Sequence, residues 1–130
     1  MAMMEMNELT EQVIGACIEV HRGIGPGLLE SAYRQCLIHE FKLRGISCRH
    51  ELPLPVQYKG VLLDCGYRVD LLIDERLVLE LKAVDQIHPI HRAQLLTYLR
   101  LGGWQVGLIV NFNVKVLKDG IIRMVQDFNS

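Results

Sequence analysis

No stretch of this sequence approaches the run of roughly 18 apolar residues that a membrane-crossing helix needs, although 50% of its 130 residues are hydrophobic. The opening MAMMEMNELTEQ is acidic and lacks the basic-then-apolar order of a secretory signal. A cytoplasmic location and no membrane partner are therefore expected. There is no C-x-x-C: Cys17, Cys36, Cys48 and Cys65 are widely spaced, which argues against a zinc site and for reduced, mostly buried thiols. Basic charge is not in excess, with 14 Lys and Arg against 15 Asp and Glu and a net charge of −1. A strongly basic balance would mark a tight non-specific nucleic-acid binder. Its absence weakens that claim without removing nucleic acid as a partner. Small basic groups remain, Arg44, Arg49, Lys59 and Arg68 in one and His91, Arg92 and Arg100 in another. There is no internal repeat and no low-complexity segment, and the length fits a single domain over residues 1–130.

The pattern begins with helices. Leu9, Val13, Ile14, Cys17, Ile18 and Val20 recur at helical spacing, predicting a first helix over about Asn7 to Arg22, with a start near Thr10 equally compatible. Gly23 to Gly27 stops it. No G-K-[ST] follows and no strand precedes, so this is a helix-to-helix turn rather than a phosphate loop. A second helix is expected over Leu28 to Arg44, with Leu29, Ala32, Tyr33, Cys36, Leu37 and Phe41 inward and Gly45 as its C-terminal cap. Arg49 to Tyr58 alternates but contains Pro53 and Pro55, so it reads as an edge or irregular strand. Val61 to Leu72 reads as a long strand, kinked if anywhere at Gly66, with Leu77 to Val84 as its partner. His88-Pro89 opens a third helix reaching about Leu101, with Ala93, Leu95, Leu96 and Leu99 as its apolar stripe and Gly102-Gly103 as its stop. Gln105 to Phe112 is a buried strand with Trp104 packed at its start. Val114 to Lys118 and Ile121 to Val125 flank Asp119-Gly120, a hairpin signal. Asp127 to Ser130 are expected to fray.

The chemistry concentrates in YRVDLLIDERLVLELK, Tyr67 to Lys82. If Asp74, Glu75 and Arg76 form the loop, Ile73 faces Leu77, Leu71 faces Leu79, Val69 faces Leu81 and Tyr67 faces Ala83. On the other face Leu72 meets Val78, Asp70 meets Glu80 and Arg68 meets Lys82. A one-residue slip would turn every side chain to the wrong face, so the apolar pattern selects the register that brings the two acids together. Opposed residues of an antiparallel pair have Cβ atoms about 4.5–5.5 Å apart, and like charges there repel. A hard cation such as Mg²⁺, with oxygen ligands at about 2.0–2.1 Å, would convert that repulsion into binding. Lys82 shares the stripe and could orient a water or neutralise charge on a phosphate. The alternative is an exposed hairpin in which Asp70 pairs with Lys82 and Glu80 with Arg68. His88 and His91 form an H-x-x-H, but no further His or Cys is placed to complete a zinc site. His21, His39 and His50 read as ordinary residues.

Gly27-x-x-Glu30-x-x-Tyr33 resembles the signature of the GxxExxY protein family, which is assigned to the PD-(D/E)XK nuclease superfamily. The resemblance takes in Glu80-Leu81-Lys82, the run Gln94 to Leu99, and GLIVNFNVKVLKDGI from Gly107 to Ile121. It implies an α/β fold with a restriction-endonuclease-like core, a mixed β-sheet flanked by helices. It also implies a metal-dependent nuclease acting on nucleic acid, DNA ahead of RNA. Asp70, Glu80 and Glu30 would hold Mg²⁺ or Mn²⁺, Lys82 would assist the attacking water, and Gln94, Tyr98 and Tyr33 would position the substrate. Gln94 and Tyr98, four apart on one helix face, resemble the Q-x-x-x-Y of the RecB-type exonuclease branch, with His91 on the same side. The residue before the motif acid is Val69 rather than proline. A homodimer is compatible with such a fold, and so is an inactive nuclease-fold module that binds nucleic acid or protein.

Overall fold

The structure is a computed structural model that describes residues 4–127. Two helices come first, α1 over Met6–Ile24 and α2 over Glu30–Leu43. α1 buries Leu9, Val13, Ala16, Cys17 and Val20, the three-and-four spacing of a helix with one apolar face. Gly25 and Gly27 turn the chain at φ of 72° and 96°, a backbone region open to glycine at no steric cost. α2 starts at Glu30, not Leu28, so Leu29 precedes the helix and is 77% exposed instead of joining the buried stripe. Gly45, at φ 70°, ends it as expected.

The strands are β1 Cys48–Pro53, β2 Val56–Tyr58, β3 Val61–Leu63, β4 Arg68–Ile73 and β5 Leu77–Lys82. After them come α3 Pro89–Gly102, β6 Val106–Asn111, a 3-10 turn at Leu117–Gly120 and β7 Ile121–Val125. Among the described residues β1-β4-β5-β6-β7 form a five-stranded sheet, and β2 and β3 form a separate two-stranded ribbon. Only β5 and β6 run parallel, joined by α3 as the crossover, and the other neighbours are antiparallel. α1 and α2 pack on one face through Leu71, Ile73, Leu77, Leu79, Leu81, Leu108 and Val110. α3 covers the other through Val69, Leu72, Val78 and Ile109. Covering on both faces explains why β5 and β6 read as continuous apolar runs rather than alternating ones.

Three expectations change. The long strand from Val61 breaks into β3 and β4 in different sheets, because Asp64 Oδ1 accepts the Gly66 N–H at 3.0 Å and Gly66 takes φ 80°. The segment Arg49 to Tyr58 likewise splits at Pro53-Leu54-Pro55 into β1 and β2. Asp119-Gly120 is not a hairpin between two strands. Leu117 is buried against the first core, the chain winds one 3-10 turn, and β7 pairs with β6 alone. The expected fraying at the C-terminus falls, from residue 128 on, outside the described residues. No helix among the described residues is long and apolar enough to cross a membrane.

Candidate active site between β4, β5 and α3

The hairpin register is the expected one at its closed end: Ile73 pairs with Leu77, Leu72 with Val78 and Leu71 with Leu79. Beyond that the ladder stops. The Asp70 N–H donates to Glu80 Oε1 at 3.1 Å, and Asp70 Oδ2 accepts the Leu81 N–H at 2.8 Å. Side chains thus complete the pairing that the two backbones do not. On the other side of β4, the ladder with β1 skips Glu51 and Asp70 between His50–Leu71 and Leu52–Val69. Glu51 takes φ 49° there. The irregularity turns both strands over. Leu71 and Val69, two apart, lie in different cores, and so do Cys48 and Leu52. Val69 therefore packs with α3 rather than beside Leu81, and Tyr67 meets the ring of Tyr98 edge-on at 5.9 Å instead of facing Ala83.

Glu80 is 6% exposed. Burial, and then the charge of Asp70, push its carboxyl up to about 8 against the opposing pull of the Asp70 N–H and Lys82. The solvated alternative does not form: Arg68 faces Asp64 at 3.6 Å, and no ion pair links Asp70 to Lys82 or Glu80 to Arg68 among the described residues. The cation nearest Asp70 is instead Arg34, one turn along α2 from Glu30. Its guanidinium is 3.9 Å from Asp70 Oδ1 and 3.7 Å from Glu51 Oε1, and its buried Nε has no hydrogen-bond partner. Sequence reasoning passed over Arg34, although its spacing from Glu30 puts both on one helix face.

α3 supplies the far wall. Tyr98 is 5% exposed and its hydroxyl accepts from Gln94 Nε2 at 3.1 Å. Burial, then the charges of Glu80 and Asp70, raise the phenol to about 12, so it stays protonated. His91 feels burial, Lys82 and His88, which lower its pKa, and Glu30, which opposes them. Lys82 is half-buried, and its carbonyl accepts the Phe112 N–H at 2.9 Å. Asn111, a second residue that spacing did not single out, brackets the end of β5. Its Oδ1 accepts the Val84 N–H at 3.1 Å and its Nδ2 donates to the Val84 carbonyl at 2.8 Å. The only signal in the sequence was a polar residue closing the apolar GLIV run. Tyr33 is fully buried, stacks on Phe112 at 4.3 Å, and donates to the Gly25 carbonyl at 2.7 Å while accepting the Leu28 N–H at 3.2 Å. It has no surface to offer a ligand. It braces the turn that starts α2, and so acts on Glu30 from inside the core.

The expected trio of metal ligands is not assembled. No three His, Cys, Asp or Glu residues among those described are grouped so as to hold a metal ion. What the fold brings together is the pair Asp70 and Glu80, while Glu30 exerts its charge on His91. The pair alone still suits a hard cation. Mg²⁺ is commonly bound through one or two carboxylates, keeping waters and taking substrate phosphate as further ligands, and a buried, mutually repelling pair gains most from positive charge.

A family match decides the wider setting. The PD-(D/E)XK nuclease superfamily matches residues 7–124, nearly the whole chain. The chain belongs to the PD-(D/E)XK nuclease superfamily. Its mixed sheet with helices on both faces is consistent with the superfamily's restriction-endonuclease-like fold. The superfamily is typically metal-dependent, and it implies nucleic acid as partner. No curated protein and no solved structure matches the chain.

Proposed function

We propose that this chain is a metal-dependent nuclease of the GxxExxY type, hydrolysing phosphodiester bonds of nucleic acid with DNA ahead of RNA. The observation that carries the reading is the acid pair. Asp70 and Glu80 meet where the β4–β5 ladder opens, with Lys82 two residues on along β5. Asp70 and Glu80 would hold Mg²⁺ or Mn²⁺. When bound, such an ion polarises a phosphoryl oxygen and lowers the pKa of water.

The protein's own groups supply the rest. Lys82, whose charge already reaches Glu80, holds the attacking water in place or neutralises charge growing on the phosphate. Tyr98 keeps its proton and, with Gln94 already donating to its oxygen, has that proton left to give to a substrate oxygen. Glu80 is buried and Tyr98 of α3 feels the charge of both acids, so charges at the pair act through less water than at an open surface. Glu30 lies on the α2 side, where its charge and that of Lys82 meet at His91.

One observation favours a second reading. Arg34 already places positive charge 3.9 Å from Asp70, as a nuclease-fold module that binds nucleic acid or protein without cutting would allow. The deciding experiment incubates the protein with single- and double-stranded DNA and RNA, in Mg²⁺, Mn²⁺ or EDTA, beside Asp70→Ala and Lys82→Ala. The nuclease reading expects cleavage that needs metal and disappears in Asp70→Ala. Binding without cleavage selects the module. Cleavage persisting in both variants overturns the assigned site.

A further inference from the structure

Beside the acid pair lies a concavity of about 860 Å³, walled by α3, by β2 and by Tyr67. That volume falls within the roughly 300–1,000 Å³ typical of small-ligand pockets, which are mostly apolar with a few placed polar groups. Its apolar wall includes Val56 and Ile90, and its polar residues include His91, Gln94 and Tyr98. Tyr67 is 42% exposed yet held in place, because its carbonyl accepts the Leu54 N–H at 3.0 Å and its ring abuts Tyr98.

We infer that this pocket receives an unpaired nucleobase stacked on Tyr67, which makes single-stranded nucleic acid, or an unpaired end, the substrate class. The inference rests on the nuclease reading for the reaction next door, but not for the pocket itself. Base stacking needs an aromatic face that a base can reach, and a base inside a duplex has both faces covered. Gln94 donates one N–H to Tyr98 and keeps its Oε1 and second N–H, and His91 Nδ1 accepts the His88 N–H at 3.0 Å, leaving Nε2 as a donor. These are hydrogen-bonding groups suited to a base edge. Duplex binding is governed by many phosphate contacts. Here the net charge is −1, and among the described residues Arg100 is the one permanently charged side chain lining the pocket. Tyr98 both lines the pocket and feels Glu80 and Asp70, so a base in the pocket brings a flanking phosphodiester to the acids.

The test reads binding apart from cleavage. Fluorescence anisotropy in EDTA compares a labelled oligo-dT single strand with a blunt duplex of equal length. The variants are Tyr67→Ala, Tyr67→Leu and Tyr67→Phe, each checked for folding by circular dichroism. The expected result is a single strand bound at least about tenfold tighter than the duplex. Losses of about tenfold are expected in Tyr67→Ala and Tyr67→Leu, with Tyr67→Phe unchanged. Equal or tighter duplex binding, or full binding by folded Tyr67→Leu, overturns the pocket. Tyr67-dependent binding without any cleavage in either Mg²⁺ or Mn²⁺ keeps the pocket and sinks the nuclease. Duplex cleavage at equal rates by wild type and Tyr67→Leu keeps the nuclease and sinks the pocket.

Discussion

Asp70 and Glu80 are joined through each other's strand: the Asp70 N–H donates to Glu80 Oε1 at 3.1 Å, and Asp70 Oδ2 accepts the N–H of Leu81 at 2.8 Å. The two carboxylates hold the hairpin together just where its backbones part. They also leave Glu80 buried beside another acid, which raises its affinity for a proton and, by the same electrostatics, for a cation.

The first prediction concerns pH. Glu80 is raised from 4.5 to about 8 in the folded protein. Between those values the folded state binds the extra proton, so stability without metal falls as pH rises through that window. The slope is at most about 1.4 kcal/mol per pH unit, and it levels off above the folded pKa. Urea unfolding in EDTA across this range should show the decline. Glu80→Gln should remove it, and saturating Mg²⁺ should reduce it. An unchanged slope in Glu80→Gln would assign the decline elsewhere.

A second prediction separates bracing from substrate contact at Tyr33. Tyr33→Phe keeps the stack on Phe112 but leaves the Gly25 carbonyl and the Leu28 N–H without their partner. The expected cost is about 1–2 kcal/mol in chemical denaturation, with substrate KM unchanged. A raised KM at unchanged stability would restore Tyr33 to the substrate.

Asn111 carries a third. Asn111→Leu removes the bonds to Val84 and the one that Oδ1 accepts from the Asn113 N–H at 3.2 Å. Stability should drop by about 2–4 kcal/mol, and amide exchange at Val84 should accelerate. Asn111→Asp should fall between the two, since it keeps the acceptor bonds and sets a carboxylate against the Val84 carbonyl.

The fourth is steric. A Cβ on Gly120 would stand 2.3 Å from the Asn111 carbonyl oxygen, a backbone atom that cannot step aside. Gly120→Ala should cost about 1–3 kcal/mol or more, as overpacking does. Gly23, inside α1 with nothing within 4 Å of the added carbon, is the control. Gly23→Ala should be neutral or stabilising by up to about 1 kcal/mol. Equal losses at both sites would mean that the contact with Asn111 is not what matters at Gly120.

What could be read from the sequence was whatever local pattern dictates. Helical spacing marked α1, α2 and α3, and Pro89 and Gly103 marked the ends of α3. Period-two pairing pointed to the register at the closed end of the hairpin, since a slip by one residue would have set Asp70 against Leu79. That register drew Asp70 toward Glu80, and the E-x-K was legible directly as Glu80-Leu81-Lys82. The spacing also named Gln94 and Tyr98 as neighbours, and they are hydrogen-bonded.

Tertiary structure decided the rest, because it depends on groups distant along the chain. Glu51 and Asp70 turn β1 and β4 over together, and no pattern within either strand announces that. Arg34 comes from α2 to stand by Asp70 and Asn111 comes from β6 to hold Val84. Gly120 serves a close approach to β6 rather than the hairpin its Asp-Gly pair suggests. The sequence by itself determined which residues carry charge and on which stretch. Only packing determined how deeply Glu80 is buried, and that burial, beside the charge of Asp70, is what raises its carboxyl to about 8.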